Sequence, residues 1–390
     1  MSAVFQTARR ILRLFTLPLA VLALAGCDSG GYGGGPRIDT SQPVPVALLV
    51  PSGSGASGDE VLAQSLENAA RLAMRDLGDI TIDLRVYATK GDATVAADQA
   101  QLAVAEGAKI ILGPVYAEAA NAAGLAVAQS GVNLLSFSNN TAIAGGNVFV
   151  LGASFETTAE RLVSFAGAQG KDRIVIVHAQ DFAEERGRDA IAGAIAAQRA
   201  TLIGTVDYAL SQEEVIAAVP RVKDLALTGE ADLIFLTASS ASALPLFTQL
   251  LPENGLGPDL VQYAGLTRWD IPAQTLSLPG VQGGWFALPD PATTQAFSAQ
   301  YRDEFGQPPH PIGGLAFDGI AAIGALVAQG KGDALAADAL TQRAGFRGAS
   351  GIFRLRSDGT NERGLAVATI TDAQVEILSP APQSFGFAGF

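Results

Sequence analysis

From residue 44 onward, short apolar runs alternate with longer amphipathic runs. The run at 44–50 (VPVALLV) has the continuously apolar character of a buried strand, whereas residues 59–77 carry apolar side chains at helical spacing. The same alternation predicts further strands at 80–87, 109–113, 132–137, 149–152, 173–177, 202–208, 231–237, 260–265 and 283–288. It predicts further helices at 93–105, 117–128, 157–168, 186–197, 211–225, 243–251, 293–305 and 312–328. Residues 346–378 indicate an antiparallel ribbon, with SDGT at 357–360 as its turn.

This order of elements determines the expected fold class. Strands that alternate with helices of such length require parallel sheets that are covered by helices on both faces. The pattern repeats in two successive sets, so we expect an α/β protein with two doubly wound, parallel-sheet lobes. In open sheets of this kind, ligands bind beyond the carboxyl ends of the strands.

The N-terminal segment has the pattern of a bacterial lipoprotein export signal. Three arginines precede an apolar stretch at 14–24 that is too short to span a bilayer, and LAGC follows at 24–27. Cys27 is the only cysteine of the chain, so it has no disulfide partner. We therefore expect residues 1–26 to be a signal peptide and Cys27 to carry a lipid. An ordinary secretory signal followed by an unrelated cysteine is the alternative.

Residues 27–43 are expected to form a flexible, lipid-anchored linker, because 29–36 reads SGGYGGGP. The signal holds three arginines and no acid, so its removal changes the net charge from -13 to -16. Such a charge argues against nucleic acid as a partner and leaves the lipid anchor as the contact with the membrane. The protein would then face the periplasm from the cell envelope. Asp28 after the lipidated cysteine retains lipoproteins in the inner membrane of enteric bacteria, but the rule does not transfer reliably to other groups, so the inner and the outer membrane both stay open.

Hydroxyl and amide side chains follow the predicted strands at the positions where a cleft would lie. These candidates are Ser52 and Ser54 after the first strand, Tyr116 after the third, and Ser136, Ser138, Asn139 and Asn140 after the fourth. Together with backbone N–H groups at helix starts, they can hold a ligand carboxylate. Each of them can instead cap a helix or form a turn.

The chain offers few groups for catalysis or metal binding. His178 and His310 are its two histidines, and neither has a partner at the spacing of a metal pair or a catalytic triad. No glycine-rich phosphate motif follows a strand. We therefore expect a non-enzymatic protein without a metal or a cofactor.

Four segments resemble the type I periplasmic binding proteins of the leucine/isoleucine/valine-binding class. They are VPVALLVPSG at 44–53, IILGPVYAEAA at 110–120, LLSFSNNT at 134–141 and GIFRLRSDGTNERG at 351–364. The resemblance implies that the chain passes between the two lobes three times. The first lobe would comprise residues 44–153 plus 283–329, and the second would comprise residues 154–282 plus 332–390.

Within this class, the segments at 105–127 and 131–152 are similar to the penicillin-binding protein activator branch, the Lpo-type lipoproteins. That resemblance implies a regulator of peptidoglycan synthesis with a bifunctional penicillin-binding protein, a peptidoglycan synthase, as its partner. The alternative is a substrate-binding lipoprotein of an ABC transporter. It would deliver a small amide, an organic acid or an amino-acid-like solute to an ABC permease.

The class also implies contacts to a small-molecule ligand from the second lobe. Phe182 stands near the position of a tyrosine that covers the ligand, and Ser239 lies in ASSASAL at 238–244, where the class places a carboxylate for the ligand ammonium. That segment contains no acid. A buried ammonium without a partner would cost several kcal/mol, so an α-amino acid is a poor candidate for the ligand.

Overall fold

Five parallel strands from the first part of the chain form one sheet in the computed structural model, which describes residues 35–386. The strands are β1 (Val44–Val50), β2 (Ile82–Ala88), β3 (Ile110–Leu112), β4 (Asn133–Ser136) and β5 (Val148–Val150). The helices between them are α1 (Ser57–Arg75), α2 (Ala93–Ala105) and α3 (Ala117–Val127). The strand order is β2-β1-β3-β4-β5.

The next part of the chain continues the alternation. Its elements are α4 (Phe155–Ala168), β6 (Arg173–Ala179), α5 (Phe182–Ala197), β7 (Thr201–Tyr208), α6 (Gln212–Thr228), β8 (Leu233–Leu236), α7 (Leu244–Glu253), β9 (Gln262–Gly265) and β10 (Trp285–Pro289). The last part comprises α8 (Pro291–Phe305), α9 (Gly314–Val327), α10 (Ala337–Leu340), β11 (Phe346–Gly348), β12 (Gly351–Leu355), β13 (Asn361–Arg363), β14 (Leu365–Thr371) and β15 (Gln374–Ser379).

The second sheet has seven strands in the order β15-β14-β10-β9-β8-β6-β7. Strands β6 to β10 are parallel, whereas β14 pairs antiparallel with β10 and with β15. Strands β11, β12 and β13 form a small antiparallel sheet of their own. The predicted α/β fold with parallel-sheet lobes is confirmed, and the predicted ribbon at 346–378 divides between two sheets.

Each large sheet buries apolar side chains on both faces, as a parallel sheet requires. The first sheet packs one face on α1 and α9 and the other on α2 and α3. The second sheet packs on α6 and α7 on one side and on α4 and α5 on the other. We use first lobe and second lobe for these two sheets with their covering helices.

The chain passes between the lobes three times in the structure. Residues 151–154 connect β5 to α4, Asp290 connects β10 to α8, and Gly364 connects β13 to β14. Because β5 runs parallel to β4 and β10 runs parallel to β9, two of these crossovers leave from the carboxyl ends of the parallel strands.

The predicted lobe boundaries at 283 and 332 are wrong. Strand β10 belongs to the second sheet, because Trp285 pairs with Thr369 and its ring lies 4.9 Å from that of Phe165. Residues 333–355 belong to the first lobe, since Leu335 and Phe353 are buried in its core. Both errors come from assigning an element by its position in the chain, whereas burial of its side chains decides which lobe holds it.

The predicted linker at 27–43 also ends earlier than expected. Ile38 is buried against the first lobe, and its backbone N–H donates to the carbonyl of Gly332 at 2.8 Å. The predicted signal peptide, Cys27 and the first part of the linker lie outside the described residues. Within 35–386, no helix combines the length and the apolar character that a bilayer span requires.

Candidate functional site at the carboxyl edges of the sheets

The loops after β1, β3 and β4 lie along one edge of the first sheet, because these strands are parallel neighbours. In the second sheet, the loops after β6, β8 and β9 share an edge for the same reason. The crossovers after β5 and β10 leave from these same two edges. The carboxyl edges of the two lobes therefore meet at the crossovers, which makes the space beside them the candidate site.

Two of the predicted serines stabilise the loop after β4. The Ser136 hydroxyl is fully buried, donates to the Pro114 carbonyl at 3.2 Å and accepts the N–H of Ser138 at 3.1 Å. The Ser138 hydroxyl is also buried and accepts the N–H of Asn140 at 3.1 Å. Both hydroxyls shape the backbone of the loop and are directed away from solvent.

The other predicted residues of the first lobe divide into three groups. The side chains of Ser54 and Asn140 accept backbone N–H groups two residues ahead, which is the turn role. Tyr116 is partly exposed, and its hydroxyl donates to the Asp59 carboxylate. That bond to Asp59, together with burial, raises the pKa of Tyr116. Ser52 and Asn139 make no side-chain hydrogen bond to any described residue, so both retain their capacity to bind a ligand.

The two predicted residues of the second lobe have different surroundings. Phe182 is the first residue of α5 and is 75% exposed, so its ring is available to cover a bound molecule. The hydroxyl of Ser239 lies 3.3 Å from that of Ser242, which also accepts the N–H of Ser239 at 2.9 Å. Ser239 therefore takes part in the turn that leads into α7.

Glu184 is the residue of this edge whose role the sequence did not reveal. Its Oε2 accepts the N–H of Ala179 at 2.7 Å, the hydroxyl of Thr237 at 2.7 Å and the hydroxyl of Tyr208 at 3.2 Å. Burial, with the nearby Glu184 charge, raises the pKa of Tyr208. The carboxylate thereby joins the ends of β6, β7 and β8. The spacing of Asp181 and Glu184 resembles a capping box, but the partners in β7 and β8 come only from the tertiary structure.

The other acids at this edge are also engaged. Asp181 caps α5 by accepting the N–H groups of Ala183 and Glu184 at 2.9 and 3.0 Å. Asp270 pairs with the Arg268 guanidinium, whose Nε donates to it at 2.9 Å. Asp181, Glu184 and Asp270 are thus each committed to donors of their own lobe. An ammonium group at this edge would have to share these carboxylates with donors that they already hold.

A polar bridge joins the two lobes beside the loop after β4. The hydroxyl of Thr141 in the first lobe donates to the Glu156 carboxylate at 3.0 Å and lies 3.2 Å from Nη2 of Arg186. Glu156 and Arg186 belong to α4 and α5 of the second lobe and form an ion pair at 3.4 Å. The bridge thus links the loop after β4 to the helix that follows the first crossover.

His178 lies beside Ala179 near the carboxyl end of β6, whereas His310 lies in the loop between α8 and α9. His178 is buried, and its Nδ1 lies 3.0 Å from the carbonyl of Ala179. Desolvation lowers the pKa of His310, whose Nδ1 accepts the N–H of Ile312 at 3.4 Å. In the part of the chain that the structure describes, no three His, Cys, Asp or Glu side chains are placed to hold a metal ion.

The sequence model for the periplasmic binding protein family matches residues 43–374 of this chain. That match covers both lobes and all three crossovers. A search of curated proteins gave no match.

Solved structures of the same architecture resemble most of this chain. One from Rhodospirillum rubrum, provisionally described as a branched-chain amino acid ABC transporter, superposes with a TM-score of 0.72 at 16% identity, covering 86% of this chain and 100% of that one. An ABC transporter substrate-binding protein from Desulfitobacterium hafniense in complex with Leu has a TM-score of 0.61 at 19% identity, with coverages of 86% and 100%. A solute-binding protein from Rhodopseudomonas palustris in complex with 3,4-dihydroxy benzoic acid has a TM-score of 0.55 at 16% identity, with coverages of 87% and 98%. At these identities the likeness shows the fold alone.

Proposed function

The chain belongs to the periplasmic binding protein family, and we propose that it is the solute-binding component of an ABC importer. The observation that carries this proposal is the convergence of both carboxyl edges at three crossovers, which is the arrangement of a hinged, two-lobed ligand trap. A ligand held between Ser52 and Asn139 on one lobe and Phe182 on the other would stabilise the closed form. An ABC permease would then be the membrane partner.

The family acts in the periplasm, and lipidation of Cys27 would hold this member at the membrane surface. The acidic chain has little affinity of its own for anionic lipid headgroups. A diacylglycerol anchor would therefore supply the membrane contact.

The engaged acids of the second lobe favour a ligand without an ammonium group. Asp181, Glu184 and Asp270 each have donors already, and the segment 238–244 contains no acid. A solute with a carboxylate or an amide and an apolar body requires none of them. We therefore propose an organic acid or a small amide as the transported solute.

Matched ligand pairs test this proposal by isothermal titration calorimetry. Isocaproate is leucine without its ammonium group, and hydrocinnamate is phenylalanine without its ammonium group. In a pair that binds, we expect the deaminated acid to bind at least about tenfold more tightly than the amino acid, since burying the ammonium group unpaired costs free energy. An amino acid that binds more tightly than its acid would contradict the ligand class.

Substitutions then locate the site. Ser52→Ala and Asn139→Ala are expected to weaken binding several-fold, because each removes a side chain that has no other partner. Asn121→Ala is the matched control, since Asn121 is exposed on α3 and does not follow a strand. Equal affinities for all three variants would place the ligand elsewhere.

The second candidate function is the activation of a penicillin-binding peptidoglycan synthase. Its support is the same observation that Asp181, Glu184 and Asp270 already accept hydrogen bonds within the second lobe, so none of them is reserved for the ammonium group of an amino acid. Crosslinking of the protein in intact cells, followed by mass spectrometry, separates the two candidates. Enrichment of an ABC permease supports the importer, whereas enrichment of a bifunctional synthase without a permease supports the activator.

A further inference from the structure

A cavity of about 850 Å³ lies between α4, the β12–β13 ribbon and the segment 379–386, which begins at the last residue of β15. None of the strand-end residues described above lines it. The C-terminal end of α5 and the two residues Arg343 and Ala344 complete its walls. Helix α4 and the segment after β15 belong to the second lobe, and Arg343 follows α10, whose Leu340 is buried in the core of the first lobe.

Positive charge dominates this cavity, although the protein as a whole is acidic. Five arginines line the cavity against two glutamates, while the whole chain has 25 basic and 38 acidic residues. The charged lining residues are Arg161, Arg343, Arg354, Arg356, Arg363, Glu160 and Glu362. The cavity thus concentrates a fifth of all basic residues in one place.

Three of the five arginines form ion pairs with carboxylates. Arg354 pairs with Glu362 at 2.6 Å, and Arg356 pairs with Glu160 at 2.9 Å. Arg363 pairs with Asp318, outside the cavity, at 2.8 Å. Within residues 35–386, Arg161 and Arg343 form no ion pair with a carboxylate. Two guanidinium charges of the cavity therefore remain uncompensated.

Arg161 is held in place by neutral groups alone. Its Nε donates to the Leu365 carbonyl at 2.7 Å, and its Nη2 donates to the Ser379 hydroxyl at 2.7 Å. Burial lowers the pKa of Arg161, which reflects the cost of desolvating its charge. Its Nη1 has no partner among the described residues. Burial deprives the guanidinium charge of hydration, and a bound anion would stabilise that charge in place of water.

The β12–β13 pairing adds two more guanidinium groups to the same wall. Arg354 and Arg356 are two residues apart on β12 and its extension, so they share one face of the ribbon. Guanidinium groups match carboxylate and phosphate oxygens in a bidentate fashion. A volume of this size is typical of sites for small molecules.

We propose that this cavity is a second ligand site, which binds a small multivalent oxyanion with phosphate or carboxylate groups. Arg161 and Arg343 provide its uncompensated charges, and Arg354 and Arg356, which pair with Glu362 and Glu160, add guanidinium donors to the same wall. The site is independent of the proposed solute site. Because Arg161 belongs to the second lobe and Arg343 follows an element packed on the first, an anion that contacts both would also link the lobes.

Calorimetric titration of the purified chain with citrate and with pyrophosphate at low ionic strength tests the site. We expect saturable binding of at least one of them to a single site, weakened by added salt. Arg343→Gln should lower the affinity about tenfold, as expected for loss of one charge-assisted contact. Arg343 is exposed and its side chain makes no hydrogen bond to a described residue, so this variant is expected to fold normally.

Arg161→Lys and Arg188→Gln complete the set of variants. Lysine keeps the charge of Arg161 but loses the planar fork, so a several-fold loss of affinity is expected. Arg188 is a control outside the cavity, because it pairs with Asp189 on α5. Failure of both anions to bind would overturn the proposal. Equal affinities of the wild type, Arg343→Gln and Arg161→Lys would overturn it as well.

Discussion

The Arg363 guanidinium lies 2.8 Å from the Asp318 carboxylate, and the two side chains are only 6% and 1% exposed. Asp318 belongs to α9 of the first lobe and also accepts the N–H of Ala349 at 2.7 Å. Arg363 precedes the third crossover, and its Nε donates to the carbonyl of Leu151 in the first crossover at 3.0 Å. The pair therefore joins two crossovers to the helix behind them.

Neighbouring polar contacts complete the hinge. The amide Nδ2 of Asn361 donates to the carbonyls of Val150 and Gly152, both at 2.8 Å. The N–H of Asp290, in the second crossover, donates to the carbonyl of Ser350 at 3.1 Å. The N–H of Gly364, in the third crossover, donates to the carbonyl of Ile352 at 2.8 Å, so residues 350–363 contact all three crossovers.

Breaking the buried pair should destabilise the whole fold. Asp318→Asn leaves the Arg363 charge buried without its counter-ion, and such losses typically cost about 3–5 kcal/mol of the free energy of unfolding. Urea unfolding followed by circular dichroism measures the change. Arg188→Ala, in the exposed pair with Asp189, is the control and should cost less than about 1 kcal/mol. Equal effects of the two substitutions would show that burial of the hinge pair has no energetic weight.

Gly359 lies in the turn between β12 and β13, and Gly55, in the loop after β1, is a matched control for its packing. Their φ angles are +83° and +84°, so alanine meets similar backbone strain at both positions. A Cβ at residue 359 would lie 2.4 Å from both Gly145 N and Val148 O, whereas nothing lies within 4 Å at residue 55.

We expect Gly359→Ala to lose about 1–3 kcal/mol more stability than Gly55→Ala, which is the usual cost of overpacking. Thermal unfolding of the two variants side by side gives the difference. Identical melting temperatures would mean that the backbone around residues 145–148 moves aside for the added methyl group without a cost in stability.

His310 should make the stability depend on pH in the weakly acidic range. Desolvation lowers its pKa in the folded state below 6.5, so the unfolded chain binds its proton first as the pH falls. The contribution of His310 is fully present above that value and is lost as the pH falls through the lowered pKa. His310→Gln should remove this part of the dependence. Unfolding free energies of both proteins at a series of pH values test it, and parallel curves would refute it.

Cys27→Ser should release the protein from the membrane without unfolding it, because the thiol is the expected site of lipid attachment. Fractionation of cells followed by immunoblotting measures the distribution between membrane and soluble periplasm. The circular dichroism spectrum of the released protein should match that of the wild type in detergent. Retention of the variant in the membrane fraction would require another anchor.

Local pattern was sufficient for most individual elements. The strand predicted at 44–50 coincides with β1, and the helix predicted at 93–105 coincides with α2. Both elements lie wholly within one lobe, so their periodicity reflects a single packing environment. The turn at 357–360 was also recognisable, because its Asp-Gly pair has few alternatives.

The candidate site was predictable only in its position. Parallel strands place their following loops on one edge, so Ser52, Tyr116 and Asn139 could be assigned to it from the strand pattern alone. Whether a hydroxyl faces solvent or braces its own loop depends on neighbours far away in the chain. The hydroxyl of Ser136, for example, donates to the carbonyl of Pro114 and therefore does not face solvent.

The sequence by itself determined the alternation of strands and helices, the α/β class and the edge on which a ligand would lie, because each follows from short-range periodicity and strand direction. Only the tertiary structure decided the lobe to which β10 belongs, the three partners of Glu184 and the gathering of arginines from α4, β12 and the loop after α10. Those features depend on contacts between residues far apart in the chain, and such contacts leave no periodic signal along it.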